Sequence, residues 1–264
     1  EILIGLVGSE MCIRDSYGAS VTIIEKNKRV GRKIMITGKG RCNLANNCDV
    51  QTFINNVPVN GRFLYSAINA FTPEDTIEFF ESKGLKTKTE RGNRVFPASD
   101  KSVDVVDTMH DYAVESGCKI VCDTANALIL EDGAVIGVKC EENTYYADSV
   151  IICCGGKSYP LTGSTGDGYT LAKQAGHTIV PLKPSLVPFT SGDKQCKDMQ
   201  GLALKNVALR IVDKNSKKAV YSDFGEMLFT HFGMSGPMIL SASSHIRDIP
   251  VSYTHLRAHE TDQY

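Results

Sequence analysis

Residues 19–26 read ASVTIIEK, a β-branched run that ends in an acidic residue, and a glycine- and lysine-rich loop follows it directly. This is the pattern of the second strand of a nucleotide-binding βαβ unit, and it restricts the chain to an α/β reading more tightly than any other feature. In that position the carboxylate of Glu25 can accept hydrogen bonds from the ribose hydroxyls of an adenine dinucleotide. Alone it decides little, because a strand-terminal glutamate is more often a solvated end residue. The glycine fingerprint expected upstream, G-x-G-x-x-G, is not found: Gly5 and Gly8 stand too close to Gly18 for a full glycine turn and a helix.

The loop is strongly basic. Residues 31–43 read GRKIMITGKGRCN, and Lys26, Lys28, Arg29, Arg32, Lys33, Lys39 and Arg41 surround Gly31, Gly38 and Gly40. Backbone N–H groups exposed by glycine, with cations beside them, can hold a pyrophosphate or the electron-rich edge of a flavin. A solvated basic loop is the alternative; a nucleic-acid patch is disfavoured because no aromatic residue is interleaved to stack on bases. Residues 150–177, VIICCGGKSYPLTGSTGDGYTLAKQAGH, hold the second such element: an apolar strand, Gly155-Gly156, a loop with Gly163, Gly166 and Gly168 around Asp167, then a helix. The paired glycines let a backbone approach a ligand closely, and Asp167 can cap the helix and bond a polyol.

The two ends of the chain stand apart from this pattern. Residues 6–15 can be encoded by CTC GTG GGC TCG GAG ATG TGT ATA AGA GAC, and the reverse complement of that DNA encodes Val-Ser-Tyr-Thr-His-Leu-Arg-Ala-His-Glu, which is residues 251–260. The DNA resembles a transposase adapter used in sequencing libraries. Residues 1–16 and 251–264 are therefore expected to be non-native, adapter-like segments, and His255 and His259 carry no weight as metal ligands. Residues 2–7 are nonetheless apolar enough to take the place of a first strand.

Between the ends, Thr72 offers an N-cap, Pro73 the first helical position and Gly84 a stop, which predicts a helix over 73–83. Val103, Val106, Met109 and Ala113 predict the buried face of a second helix ending at Gly117. From Lys119 the period changes, and KIVC, NALILE, AVIGVKC and TYYADSVIICC read as a β-meander. A short helix is expected over 168–175. After Pro181, Pro184 and Pro188 the pattern shifts to paired strands near 203–212 and 217–221, then GEMLFTHFG and a helix opened by Gly236-Pro237. The expected division is a first domain over 17–182 and a second over 183–250.

Composition narrows the function classes. Against 29 Lys and Arg stand 30 Asp and Glu, so the net charge of −1 argues against a dedicated nucleic-acid binder or a polybasic membrane protein. Nine cysteines include no CxxC pair and no zinc-like spacing, so no metal is expected and the thiols read as reduced and cytoplasmic. No apolar stretch reaches the roughly 18 residues of a membrane helix.

Four segments carry a family resemblance: VTIIEKNKRVGRKIMITGKGRCN, RVFPASDKSVDVVD at 94–107, CGGKSYPLTGSTGDGY, and LFTHFGMSGPMIL at 228–240. Across about 17–245 the chain resembles the BaiN-like bacterial NAD(P)/FAD-dependent oxidoreductases. The resemblance implies an α/β fold: a Rossmann-like FAD-binding domain, incomplete here, with a β-meander and an inserted, partly β domain that closes over the flavin. It implies FAD as cofactor, NAD(P)H as reductant and a small-molecule substrate, with no nucleic-acid or membrane partner. By the same resemblance Glu25 serves the adenosine ribose, Lys26 belongs to the cofactor-binding residues, and Arg32, Lys33, Thr37, Gly38, Lys39, Gly40, Arg41, Cys42 and Asn43 line the flavin side. Cys154, Gly155 and Gly156 form the strand turn near FAD, and Asp167 lies near the ribityl chain. His231 in FTHFG is the one candidate acid or base, although a histidine between Phe229 and Phe232 is more often structural. The rival expectation is a non-catalytic remnant with weak nucleotide binding.

Overall fold

A computed structural model describes residues 2–4, 19–213, 216–247 and 254–260, and the chain divides into two compact units, Glu1–Ile179 and Val180–Tyr264. The first unit contributes β1 (Ile2–Ile4), β2 (Thr22–Glu25), β3 (Ala45–Asn46), β4 (Thr87–Glu90), β5 (Arg94–Pro97), β6 (Lys119–Cys122), β7 (Ala125–Glu131), β8 (Ala134–Cys140), β9 (Thr144–Tyr146) and β10 (Val150–Ile152). Residues 5–18, including Gly5 and Gly8, and residues 261–264 lie outside the described residues.

The organising element is a parallel sheet of order β10-β1-β2-β6. Numbered by their place in the fold, these strands run fourth, first, second, third, the order of a doubly wound nucleotide-binding sheet. The first-strand position is filled by the apolar Ile2–Ile4, as the apolar run over 2–7 allows, with Ile4 in register with Ile24 on one side and Ile152 on the other. Strand β2 reads as a continuous apolar run because both faces are covered. Ile23 packs in a cluster with Val21, Ala113 and Cys118, and Ile24 packs in another with Leu128, Val138 and Leu171.

The first of those faces is covered by the helix Ser102–Glu115. Its buried positions are Ser102, Val105, Val106, Met109 and Ala113, a stripe at helical spacing, so Val105 takes the place expected of Val103. The helix Pro73–Ser82 begins with a reciprocal cap: Thr72 Oγ1 accepts from the Asp75 amide at 3.1 Å, and Asp75 accepts from the Thr72 amide at 2.7 Å. The second face is covered by the helix Asp167–Gln174 and the antiparallel sheet β7-β8-β9.

That sheet corrects the expected meander. Only the three middle strands form it; KIVC and VII leave to become β6 and β10 of the parallel sheet. A polar–apolar alternation suits a half-covered antiparallel strand, whereas short unbroken apolar runs suit strands with a layer on each side.

The second unit is an antiparallel sheet of order β11-β14-β13-β12-β15, built from β11 (Phe189–Thr190), β12 (Ala203–Asp213), β13 (Ala219–Thr230), β14 (Gly233–Ser235) and β15 (Thr254–Glu260). The helix Pro237–Ile246 supplies Met238, Ile239, Ala242 and Ile246 to a core with Val207, Leu209, Ile211, Met227 and Phe229. Strand β13 is one long element, where the sequence suggested a short strand followed by a separate GEMLFT segment. Gly225 does not break it: a Cβ there would lie 3.3 Å from the Met238 side chain, so the glycine admits the helix rather than turning the chain.

Candidate active site

One cavity of about 340 Å³ lies in the first unit, walled by the carboxyl ends of β2, β6 and β10 and by the loops that follow them. In open α/β sheets this is the end at which ligands bind. Glu25 ends β2 and Lys26 follows it, Asp123 and Thr124 come from the residues after β6, and Cys153, Cys154, Gly155 and Gly156 from the turn after β10; Gly31, Arg32 and Lys33 complete one wall.

The two glycine-rich segments contribute differently. Gly155 takes φ +69° after β10, a left-handed conformation that favours glycine. Among the described residues, a Cβ built at Gly156 would meet only the Tyr169 hydroxyl, 3.6 Å away, so the backbone there is open to a close-lying group. Gly31 also has positive φ, but a Cβ there would fall 2.8 Å from Val106; this glycine lets the loop pack on the helix Ser102–Glu115.

Polar groups around the cavity form two linked sets. Glu25 Oε1 accepts from the Asn27 amide nitrogen at 2.9 Å and from Asn27 Nδ2 at 2.6 Å. Asn27 Oδ1 accepts from Arg32 at 2.9 Å, and Nδ2 also reaches the Thr162 carbonyl at 3.3 Å. In the second set Lys26 Nζ donates to Asp167 at 2.5 Å and to Thr165 Oγ1 at 2.6 Å. Asp167 is the first helical residue, with Gly166 at the N-cap, so its carboxylate serves Lys26 and Thr165 instead of capping the helix. Burial opposes ionisation of Asp167, yet the bonds from Lys26 and Thr165 hold it below the usual carboxylate range. Lys33 bonds the Ser158 carbonyl, which fixes the start of the loop that ends at Thr165.

Asp123 and Asn27 were not singled out from the sequence. Asp123 is buried and accepts from the amides of Thr124 at 2.7 Å, Glu142 at 3.1 Å and Asn143 at 3.1 Å. Burial alone would raise its pKa; the bonds from Glu142, Thr124 and Asn143 outweigh that and lower it. The carboxylate thereby ties the β8–β9 turn to the cavity wall. Its only signal in the sequence was a polar residue directly after KIVC. Cys154, one of two cysteines in the wall, is pushed up to about 11 chiefly by burial and then by Asp167. It stays protonated at neutral pH and offers no thiolate.

The structure thus brings Glu25, Lys26, Arg32, Lys33, Cys154, Gly155, Gly156 and Asp167 around one cavity, and places Thr37, Gly38, Lys39, Gly40, Arg41, Cys42 and Asn43 outside its lining. Arg41 is turned to Glu90 at 2.8 Å and Asp100 at 3.0 Å, with its guanidinium 4.1 Å from the centre of the Phe96 ring. Cys42 is buried with Phe80, Leu85, Val105 and Met109, and burial raises its pKa. His231 belongs to the second unit, where it is exposed and edge-on to Phe232 at 4.9 Å; it is not in the cavity lining. Among the described residues no group of three or more His, Cys, Asp or Glu side chains could hold a metal, and no helix is long and apolar enough to cross a membrane.

Comparison with known proteins follows the same lines. The chain is 30% identical over 243 residues to a 3-dehydro-bile acid delta(4,6)-reductase of Clostridium scindens, covering 92% of this chain and 58% of the relative. It is 28% identical over 229 residues to the ribosomal RNA dihydrouridine synthase of Escherichia coli, covering 86% of this chain and 55% of the relative. The chain therefore spans a little over half the length of these curated relatives. Among solved structures, Thermovibrio ammonificans THI4 matches 67% of this chain and 61% of its own at 14% identity and a TM-score of 0.43. The HI0933-like protein Rossmann domain matches residues 4–242, nearly the whole chain. The parallel sheet, the cavity at its carboxyl end and this match make the chain a member of the HI0933-like Rossmann family.

Proposed function

We propose that the cavity receives the adenosine diphosphate part of FAD, and that the protein is an FAD-dependent oxidoreductase acting on a carbon–carbon double bond conjugated to a carbonyl. The observation that carries the cofactor reading is Glu25 at the carboxyl end of β2, in a cavity whose opposite wall is the open Gly155-Gly156 turn. The residues fit the group. Glu25 accepts a ribose hydroxyl, Arg32 and Lys33 offset phosphate charge, and Gly156 leaves room for a closely lying backbone contact. When bound, FAD supplies the hydride chemistry, with NAD(P)H as the reductant we propose. Cys154 keeps its proton and lines the site as an apolar surface. Thr37, Gly38, Lys39, Gly40 and Asn43 enter this proposal as the segment facing the flavin end, while Arg41 and Cys42 support it from the neighbouring core.

The substrate class rests on the relatives' names. A delta(4,6)-reductase of a 3-dehydro steroid and a synthase that makes dihydrouridine both describe addition of hydrogen to a double bond conjugated to a carbonyl. The net charge of −1 favours a small-molecule acceptor over RNA for this chain. The test is anaerobic: mix the FAD-loaded protein with NADH or NADPH, follow bleaching of the visible flavin band, then add a cyclic enone or a uridine-containing RNA. We expect bleaching by one nucleotide and recovery with the enone. A band that neither nucleotide bleaches contradicts the first half-reaction, and recovery with RNA alone replaces the substrate class.

A second reading has one observation behind it. Among the described residues the cavity lining contains no histidine. A chain that holds nucleotide without turnover is compatible with that wall, and it predicts FAD retention with no bleaching.

A further inference from the structure

We propose that Asn27 is a positioning residue for nucleotide recognition: it fixes the Glu25 carboxylate so that one oxygen is occupied and the other is presented to the ligand. The inference rests on the nucleotide reading of the cavity. Both of Asn27's donors, the backbone amide at 2.9 Å and Nδ2 at 2.6 Å, land on Oε1, and neither reaches Oε2. A free glutamate samples several rotamers and can offer either oxygen; this one is gripped at one side.

The amide of Asn27 is itself held in a single orientation. Nδ2 faces two acceptors, Glu25 Oε1 and the Thr162 carbonyl, and Oδ1 faces a donor, the Arg32 guanidinium. Reversing the amide would set like against like on all three sides. The fit is tight: a Cβ at Gly163, where φ is +97°, would fall 2.5 Å from Nδ2. Glycine at 163 thus leaves the space in which the Asn27 amide sits. Asn27 thereby joins the end of β2, the wall carrying Arg32 and the loop before Asp167, three parts of one cavity. Such preorganisation cuts the cost of ordering the acid when the ribose binds, so it acts on selectivity for the hydroxyls more than on general affinity.

The test uses the full chain, ADP and 2′,3′-dideoxy-ADP, with dissociation constants from calorimetry. The wild-type chain prefers ADP by about tenfold, the scale of a hydrogen bond to a charged group. In Asn27→Ala and in Asn27→Ser the preference falls to about two- to threefold while affinity for the dideoxy nucleotide changes little. Asn27→Asp keeps the shape but sets a carboxylate against Glu25 Oε1 and loses at least as much preference. Glu25→Gln removes the preference, and adding Asn27→Ala to it changes nothing further, the signature of a residue acting through Glu25. Thermal melts of each variant identify any that fails to fold. Asn27 variants that bind both nucleotides more weakly by the same factor, with the preference intact, overturn this inference and leave the cavity reading standing. No ADP binding by the wild-type chain overturns both.

Discussion

Two loops of the first unit share a glycine-rich composition and face different things. The loop after β10 turns its backbone to the cavity, with an open space over Gly156. The loop after β2 does so only at its start, through Gly31, Arg32 and Lys33; from Thr37 onward it leaves the lining, Arg41 meeting Glu90 and Asp100 while Cys42 enters the core. A cation in a glycine-rich stretch thus signals a phosphate site only when no carboxylate in the fold has claimed it. Glycine, likewise, serves a ligand where its missing Cβ leaves empty space and serves packing where another side chain fills that space.

The sharpest way to break this comparison is to add a methyl group at each kind of glycine. Gly31→Ala places Cβ against Val106 at φ +70° and should cost about 3 kcal/mol, strain and overpacking together. Denaturant titration checks it, and a change below about 1 kcal/mol removes the packing role. Gly156→Ala should leave the unfolding midpoint nearly unchanged yet weaken FAD binding by about tenfold or more, as a methyl group enters space reserved for the ligand.

A smaller effect is read out by pH. Cys140 and Cys154 are both pushed from 9.0 to about 11, in each case mainly by burial. The unfolded chain therefore ionises first, so this contribution to stability is fully present below pH 9 and is lost as pH rises toward 11. Melting temperatures should fall across that window, and Cys154→Ala should flatten the decline; an unchanged profile in that variant contradicts the burial of this thiol. Smallest of all is the expected effect of Arg41→Ala on nucleotide affinity. It should stay within about twofold, as for a cation outside the site, and a loss of tenfold would return Arg41 to the binding wall.

These contrasts also mark how far the residues could be read before folding. The capped helix Pro73–Ser82, the helix Ser102–Glu115 and the acid-terminated strand β2 were legible, because caps, helical stripes and β-branched runs are local signals. The partners of strands were not. KIVC and VII look like neighbours of NALILE and AVIGVKC, and only the tertiary layers send them to another sheet. In the site, Glu25 and Gly155-Gly156 announced themselves by position in a motif. Asn27 and Asp123 did not, since each is a lone polar residue near a strand end whose role arises from partners such as Thr162, 135 residues away, or Glu142 and Asn143 in the next turn.

The adapter reading of residues 1–16 and 251–264 adds one further proposal. Sequence reads that cross from native DNA through both segments without interruption would end it. The sheets assign places to Ile2–Ile4 and Thr254–Glu260 in either case.

The measurement closest to the central claim is the visible absorption of the purified chain after incubation with FAD and desalting, run beside Glu25→Ala. The account predicts that the wild-type chain keeps the flavin bands and that the variant loses most of them while melting at the same temperature. Equal retention by both proteins, or no retention by the wild-type chain, would contradict the assignment of this cavity to the cofactor.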